Sequence, residues 1–212
     1  MEVFLTPSLV EYVNAFVLPR YHSFDAAHQV GHAETVIDNA LYLAKYYAEV
    51  RTDCVFLAAA YHDLGLTAGR ETHHLVSGAM LRQDVRLREW FSSEEIELMA
   101  QAVEDHRASA KSAPRSLLGR IIAEADRDIN PEKILLRTVQ YGLSHYPELT
   151  KLQHFERFIQ HLNEKYARGG YLSLWLPQSR NAENLERLRC IIDDEEVLKS
   201  FFEKCWKECT DM

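Results

Sequence analysis

Residues 54–65 read CVFLAAAYHDLG, an apolar run that ends in a histidine beside an aspartate. The run is apolar nearly all round, which predicts a central helix from Asp53 to His62, with Gly65 available to end it. Polar groups at the end of a core segment need partners, because burying an unpaired imidazole or carboxylate is costly. We therefore expect His62 and Asp63 to meet polar residues from elsewhere in the chain.

Helical periodicity extends to both sides of this run. Apolar residues recur every three or four positions between Val30 and Val50, which indicates one face of a long helix. Further helices are predicted at Thr72–Gln83, from the capping box at Ser92–Glu95 to about His106, at Ser116–Ala125, and after Asn130–Pro131. The one stretch with strand-like alternation, YLSLWL at 171–176, is too short to build a sheet alone. The fold is therefore predicted to be all-α.

Length and composition bound the domain organisation. The chain has 212 residues, of which 47% are hydrophobic and 26% charged, as is typical of one large core or two small ones. The sequence has no linker rich in proline, glycine or serine that would separate domains. We expect a helical core at residues 1–146 and a more charged helical extension at 147–212, packed on that core and not a separate domain.

Charge and hydropathy exclude several classes of partner. The formal net charge of −8 argues against binding of extended nucleic acid, which usually requires a basic face. No stretch approaches the roughly 18 apolar residues of a membrane span, and the N-terminus does not resemble a signal peptide. The four cysteines form no CxxC pair and are expected to be reduced structural thiols. These features predict a cytoplasmic protein with no membrane partner, and they leave open whether it forms a homo-oligomer.

Three predicted helices carry the polar residues of a candidate metal site. His32 lies on the first long helix, His62 and Asp63 end the second, and Asp126 ends the helix that begins at Ser116. Imidazole nitrogens and carboxylate oxygens are the ligands that a divalent transition metal takes in a helical core. Each residue alone also has a simpler interpretation, as a surface histidine, a local hydrogen-bonded pair or a helix cap. A shared ion would satisfy all of them at once.

With these motifs the chain resembles the HD superfamily of metal-dependent phosphohydrolases, and in particular its small bacterial members. The resemblance rests on His32 in HAETV, His62 and Asp63 in YHDLG, and Asp126 in EADRDIN, and it covers roughly residues 21–131. It implies an HD-domain helical bundle followed by a C-terminal helical extension. It also implies that these four residues are metal ligands.

The resemblance further implies a second metal site. His74 and His106 lie where some HD proteins supply ligands to a second ion, with Asp63 bridging the two ions. His74 is the expected ligand, although the sequence does not distinguish it from its neighbour His73. The alternative is a single ion, with His74 and His106 binding phosphate or acting as general acids. The implied cofactors are one or two divalent ions of Mn, Fe, Co, Ni or Zn, among which this ligand set does not select.

The implied reaction is hydrolysis of a nucleotide or a small phosphate ester. Asp63 is the expected catalytic residue, because it would hold the metal and orient the attacking water. Cationic side chains that match phosphate oxygens are candidate substrate contacts: Arg70, Arg107, Lys111 and Arg127. Two rival functions use the same ligands, namely an HD-type di-iron oxygenase and a non-catalytic module that binds a metal or a nucleotide. The sequence does not define the physiological substrate.

Overall fold

The computed structural model describes residues 4–25, 28–107 and 112–211, and within these ranges it contains ten α-helices and no β-strand. The prediction of an all-α fold is therefore confirmed. In the described part of the chain, none of the helices combines the length and the hydropathy needed to cross a membrane. The helices form two compact units. The first holds the residues up to 127 together with 175–179, and the second holds 128–174 and the residues from 180 onward.

The described part of the first unit contains six α-helices. They are α1 (Pro7–Tyr12), α2 (Val30–Ala44), α3 (Thr52–Tyr61), α4 (His73–Gln83), α5 (Ser93–Glu104) and α6 (Leu117–Ala125). Helix α1 continues into a π-helical turn at Val13–Val17 and a 3-10 turn at Leu18–Ser23. Helix α2 ends at Ala44, before the expected boundary at Val50, and the chain continues in turns. Tyr47 lies in one of these turns and packs against the hydrophobic core.

Helix α3 lies at the centre of the first unit, as its sequence predicts. Every residue from Asp53 to Tyr61 is buried, and the helix packs against α2, α5 and α6. A helix that is apolar on every side is stable only when other elements surround it. This packing places the end of α3, with His62 and Asp63, inside the unit.

The predicted helix starts are confirmed where a capping motif marks them. The Ser92 hydroxyl accepts from the backbone N–H of Glu95, and the Glu95 carboxylate accepts from the backbone N–H of Ser92. This reciprocal pair is a capping box. Ser116 and Asn130 also cap the helices that follow them, each through a backbone N–H three residues further on. These caps fix where α5, α6 and the next helix begin.

Gly65 does not end α3, contrary to the sequence-based expectation. The helix ends at Tyr61, and Gly65 lies in a 3-10 turn that follows, without a left-handed φ. Glycine is needed there because of a close approach between backbones. A Cβ atom at Gly65 would lie 2.2 Å from the carbonyl oxygen of His73 and 2.6 Å from the nitrogen of Ser77. The turn after Asp63 is thus in direct contact with the first turns of α4.

The described part of the second unit contains four α-helices. They are α7 (Pro131–His145), α8 (Lys151–Lys165), α9 (Arg180–Asp193) and α10 (Glu195–Thr210). Helix α7 packs against the other three, and Leu135 of α7 is buried in a core with Phe158 and Leu188. Because its apolar face lies in this core, α7 belongs to the second unit, whereas the sequence analysis grouped residues 1–146 together. That residues 147–212 are an extension and not a separate domain stays a prediction.

The close approach at Gly65 predicts a loss of stability on adding a single methyl group. Gly65→Ala is expected to lower the free energy of unfolding by about 1–3 kcal/mol, because the new Cβ meets backbone atoms that cannot move aside. Gly31→Ala in α2 is the control, since among the described atoms nothing lies within 4 Å of a Cβ there. It should be neutral or stabilising by up to about 1 kcal/mol. Urea denaturation measures both variants, and equal stabilities would contradict the close approach.

Candidate metal centre

Five helix ends of the first unit bring six imidazole and carboxylate side chains to one place. His32 and His73 lie in the first turns of α2 and α4. The other four residues come just after helices, in the order His62 and Asp63 after α3, His106 after α5, and Asp126 after α6. Side chains at the ends of packed helices are held in place by the helices behind them. The six residues form two groups that share Asp63.

The first group contains His32, His62, Asp63 and Asp126. The Nε2 atoms of His32 and His62 lie 3.2 Å apart. Asp63 Oδ2 lies 3.6 Å from His32 Nε2 and 3.3 Å from His62 Nε2, and Asp126 Oδ1 lies 3.3 and 3.6 Å from the same two atoms. Atoms arranged tetrahedrally about 2.1 Å from one centre lie about 3.4 Å from each other, so these five distances fit the ligands of one divalent ion. One ion can span the atoms of His32, His62 and Asp63, and Asp126 lies beside both imidazoles.

The second group contains Asp63, His73 and His106. The Nε2 atoms of His73 and His106 lie 3.1 Å apart, and each lies 3.4 Å from Asp63 Oδ1. One ion can span these three atoms, as it can the first group. Asp63 therefore presents one carboxylate oxygen to each group.

Among the described residues, the structure brings His73, and not the predicted His74, close to Asp63 and His106. His73 contributes its Nε2 atom to the second group, whereas His74 belongs to neither group of potential ligands among the described residues. Consecutive residues of a helix differ in direction by about 100°, so only one of the two can face Asp63. Within the described part of the chain, His74 Nδ1 is buried without a hydrogen-bond partner. His106 lies in the group for which it was predicted.

Backbone carbonyls fix which nitrogen of each imidazole faces Asp63. The Nδ1 atoms of His62, His73 and His106 lie 2.7, 2.7 and 2.5 Å from the carbonyl oxygen three residues earlier. A carbonyl oxygen only accepts, so each Nδ1 carries a proton, and in its neutral form each ring turns its Nε2 lone pair to the group. Lone pairs and carboxylate oxygens this close repel one another unless a cation lies between them. The donor set therefore fits a metal ion.

The charges of the first group also favour the binding of a cation among its side chains. Burial raises the pKa of Asp63, but the neighbouring imidazoles, first that of His62, outweigh burial and hold the pKa far below its usual range. Burial lowers the pKa of His32, but hydrogen bonds to Asp126 and Asp63 outweigh burial and raise it to about 9. Burial raises the pKa of Asp126 too, but its hydrogen bond to His32 and the charges of the neighbouring imidazoles outweigh burial and lower it. Both carboxylates therefore remain ionised and attract a cation.

Ion pairs fix the end of α5 that carries His106. Arg82 of α4 pairs with Glu104 of α5. Arg115, from the segment before α6, pairs with the same carboxylate at 2.7 Å and with Asp105 at 2.9 Å. Glu104 is thus shared between two guanidinium groups, which join three segments of the chain directly beside the second group.

Two of the predicted phosphate contacts lie at the start of α4. Arg70 is exposed and pairs with Asp25 at 3.1 Å. Arg107 donates from Nη1 to the carbonyl oxygen of Glu71 at 3.0 Å. A guanidinium has five N–H donors, so each contact leaves further donors for an anion. Lys111, the third predicted contact, lies outside the described residues.

Arg127, the fourth predicted contact, is held inside the first unit. Its side chain is 8% exposed, pairs with Glu124 at 3.3 Å, and lies 5.9 Å from the ring centre of Trp175. Glu124 also accepts from the backbone N–H of Trp175 at 3.0 Å. Burial and pairing argue against the predicted role of Arg127 in direct phosphate binding. The guanidinium instead helps to fasten the segment 175–179 to α6, just before Asp126.

Two buried residues next to the site were not predicted from the sequence. Glu124 is 1% exposed. The sequence does contain a signal for it, namely a carboxylate within the otherwise apolar helical turn IIAEA, two residues before Asp126. Tyr21 is fully buried, with its hydroxyl at the end of α3. No sequence signal marks Tyr21, because a buried tyrosine is an ordinary core residue.

The fold and the site together define an all-α protein with two adjoining groups of metal-ligand type. Residues 30–130 match the model of the HD domain family, and this stretch contains all six residues of the two groups. Residues 30–130 therefore carry an HD domain, as their motifs predict. No curated protein and no solved structure matches the chain significantly.

The two neighbouring histidines of α4 give a matched test of the second group. His73→Ala is expected to remove one of two bound Mn²⁺ ions per chain, because it takes one of the three ligands from the group. His74→Ala should retain both ions. Elemental analysis of the Mn²⁺-loaded, desalted proteins measures the ion count. Loss of an ion from the His74 variant but not from the His73 variant would contradict the assignment.

Proposed function

We propose that the protein is a metal-dependent phosphohydrolase that acts on a nucleotide or a small phosphate ester. The observation that carries the proposal is the position of Asp63, whose two carboxylate oxygens each face a pair of imidazole nitrogens. Six side chains would hold two ions, with Asp63 shared: His32, His62 and Asp126 on the first, and His73 and His106 on the second. The match of residues 30–130 to the HD domain family supports hydrolysis as the reaction.

Asp63 is the proposed catalytic residue. Divalent ions bound in the two groups would neutralise phosphate oxygens and lower the pKa of a water molecule toward neutrality. The ionised carboxylate of Asp63 accepts a hydrogen bond from that water and so orients it toward phosphorus. The mixed nitrogen and oxygen ligands suit Mn, Fe, Co, Ni or Zn, and we propose one or two of these ions without selecting among them.

The first group is open to solvent on one side. The side chains of His32 and Asp126 are 25% and 22% exposed, whereas those of His62 and His106 are 0% and 2% exposed. We therefore place the substrate on the side of His32 and Asp126. An opening of this kind admits a small phosphate compound.

Arg70 is the proposed phosphate contact at the rim of the second group. Its carbonyl oxygen accepts from His73 Nδ1, which places the residue directly beside a proposed ligand. Its exposed ion pair with Asp25 is of a kind that contributes only about 0–1 kcal/mol. An incoming phosphate can therefore replace Asp25 on the guanidinium. Arg107, whose side chain binds the neighbouring turn, is the proposed second contact.

The proposed location is the cytoplasm. All four cysteines are free thiols, namely Cys54, Cys190, Cys205 and Cys209. Free thiols are usual where cellular reductants keep them reduced. Burial raises the pKa of Cys54 to about 12, so this thiol is unreactive near neutral pH.

A phosphate-release screen tests the proposed function. The substrates are mononucleotides, cyclic nucleotides, nucleoside triphosphates and small phosphate esters, each with added Mn²⁺ or Fe²⁺. The products are also separated by chromatography, because hydrolysis of a cyclic nucleotide opens a ring and releases no free phosphate; there the monophosphate counts as the product. The wild type is expected to release phosphate from at least one of these classes. Asp63→Asn should lower the rate at least about 100-fold, the contribution of a well-placed acid–base group. Asp38→Asn, an exposed change on α2, is the control and should keep the wild-type rate.

Two outcomes of the screen, and one of a separate assay with and without dioxygen, would contradict the proposal. Metal-loaded wild type that releases no phosphate from any class would indicate a non-catalytic metal-binding module. Turnover of a carbon substrate that stops when dioxygen is removed would identify an oxygenase. Phosphate release that is equal in the wild type and in Asp63→Asn would show that Asp63 is not the catalytic residue.

A further inference from the structure

Tyr21 is a fully buried tyrosine beside the metal centre. It lies in the 3-10 turn Leu18–Ser23 that follows α1. Its ring packs edge-on against Phe24, with the centres 5.4 Å apart, and its centre lies 6.3 Å from that of His62. The N-terminal part of the chain therefore contacts the site through the side chain of Tyr21.

The Tyr21 hydroxyl makes two hydrogen bonds at the end of α3. It donates to the carbonyl oxygen of Ala60 at 2.9 Å and accepts from the backbone N–H of Asp63 at 3.3 Å. The last carbonyls of a helix lack partners within the helix, so the first bond satisfies a group that would otherwise be unpaired. Asp63 has already left the helix, with φ of −110° and ψ of 5°. The hydroxyl thus joins the last turn of α3 to the residue that follows it.

The backbone of Asp63 is neither helical nor extended. Its φ and ψ lie near the sparsely populated bridge region, where many active-site residues are found. Burial, and then the charge of Asp63, raise the pKa of Tyr21 well above its ordinary value near 10. The hydroxyl is therefore protonated near neutral pH, and it can donate one hydrogen bond while it accepts another.

The position of Asp63 matters for both groups at once. Oδ2 lies 3.3 Å from His62 Nε2, and Oδ1 lies 3.4 Å from His73 Nε2 and from His106 Nε2. The two oxygens belong to one rigid carboxylate. A shift of the Asp63 backbone therefore changes the distances in both groups together.

We propose that Tyr21 is a positioning residue for the metal centre, whose hydroxyl holds the backbone of Asp63 so that the carboxylate faces both groups. The inference rests on the proposed metal binding and extends it to a residue outside the two groups. Without the hydroxyl, the Ala60 carbonyl and the Asp63 N–H become unpaired in the core, and the turn rearranges to satisfy them. Because Asp63 is shared, the binding of both ions should weaken together.

Tyr21→Phe tests the proposal, because it removes the hydroxyl and keeps the ring. The variant of the full chain is expected to bind Mn²⁺ about 10- to 100-fold more weakly at both sites, the usual effect of losing a group that orients a metal ligand. Calorimetric titration measures the affinity. The absorption spectrum of the Co²⁺-loaded protein gives a second readout and should change, because it reports the geometry of the ligands.

Tyr12→Phe is the matched control. Tyr12 is also buried and comes from the same N-terminal stretch, but its hydroxyl contacts Asp84 and Tyr61 and not the backbone of Asp63. Both variants should lose some stability, which thermal unfolding followed by circular dichroism measures. Only Tyr21→Phe should lose metal affinity and alter the Co²⁺ spectrum.

The outcomes separate this inference from the proposed function. Wild-type affinity in Tyr21→Phe, or an equal loss in Tyr12→Phe, would overturn the positioning role and leave the phosphohydrolase proposal standing. Weakened binding in Tyr21→Phe alone, with no phosphate release by the wild type, would support the positioning role and refute the phosphohydrolase. A wild type that binds neither Mn²⁺ nor Co²⁺ would overturn both.

A measurement on the wild type covers the case in which Tyr21→Phe does not fold. The amide hydrogen of Asp63 is bonded to a buried hydroxyl and should exchange slowly with solvent. Amide hydrogen exchange followed by NMR measures this rate. Fast exchange of that amide in the folded protein would overturn the proposal.

Discussion

The carboxylate of Asp63 lies between two pairs of imidazoles, and the rest of the first unit is arranged around this contact. A buried carboxylate costs several kcal/mol unless charged or hydrogen-bonding partners surround it. Here the partners are the Nε2 atoms of His32, His62, His73 and His106, which lie 3.3 to 3.6 Å from its oxygens. Each imidazole lies at the end of a different helix. The packing of α2, α3, α4 and α5 is therefore constrained by one side chain at the end of α3.

Small residues allow α4 to approach α5 and the turn after Asp63 closely enough to place His73 beside Asp63. A Cβ at Gly65 would overlap the backbone of α4, and a Cβ at Gly78 would lie 2.8 Å from Cγ of Glu104 on α5. The hydroxyl of Ser77 accepts from the N–H of Gly65 at 2.8 Å, which joins the turn after Asp63 to α4. Ion pairs through Glu104 then hold α4 to α5 beside the second group. Backbone contact and charge together set the distance between the two helices.

The sequence was sufficient to predict the helical fold and the first group. The apolar run of α3 allows only a central position, and the ordered set of His32, His62, Asp63 and Asp126 is specific. The second group was less predictable because α4 buries few of its apolar residues. Its buried face contains Ser77, Gly78 and Leu81, whereas Leu75 is 52% exposed, so hydrophobic periodicity does not show which neighbouring histidine turns inward. Tyr21 could not be predicted either, because its partners on α3 follow it by about 40 residues and meet it only in the folded chain.

The central claim is that Asp63 joins two metal-binding groups, and a crystal structure of the Mn²⁺-loaded protein tests it most directly. Anomalous diffraction locates manganese independently of the protein atoms. We expect two anomalous peaks on opposite sides of the Asp63 carboxylate, about 3.5 to 4 Å apart, as in other sites with two metal ions. One peak should be bound by His32, His62 and Asp126, and the other by His73 and His106. A single peak, or peaks that do not contact Asp63, would contradict the account.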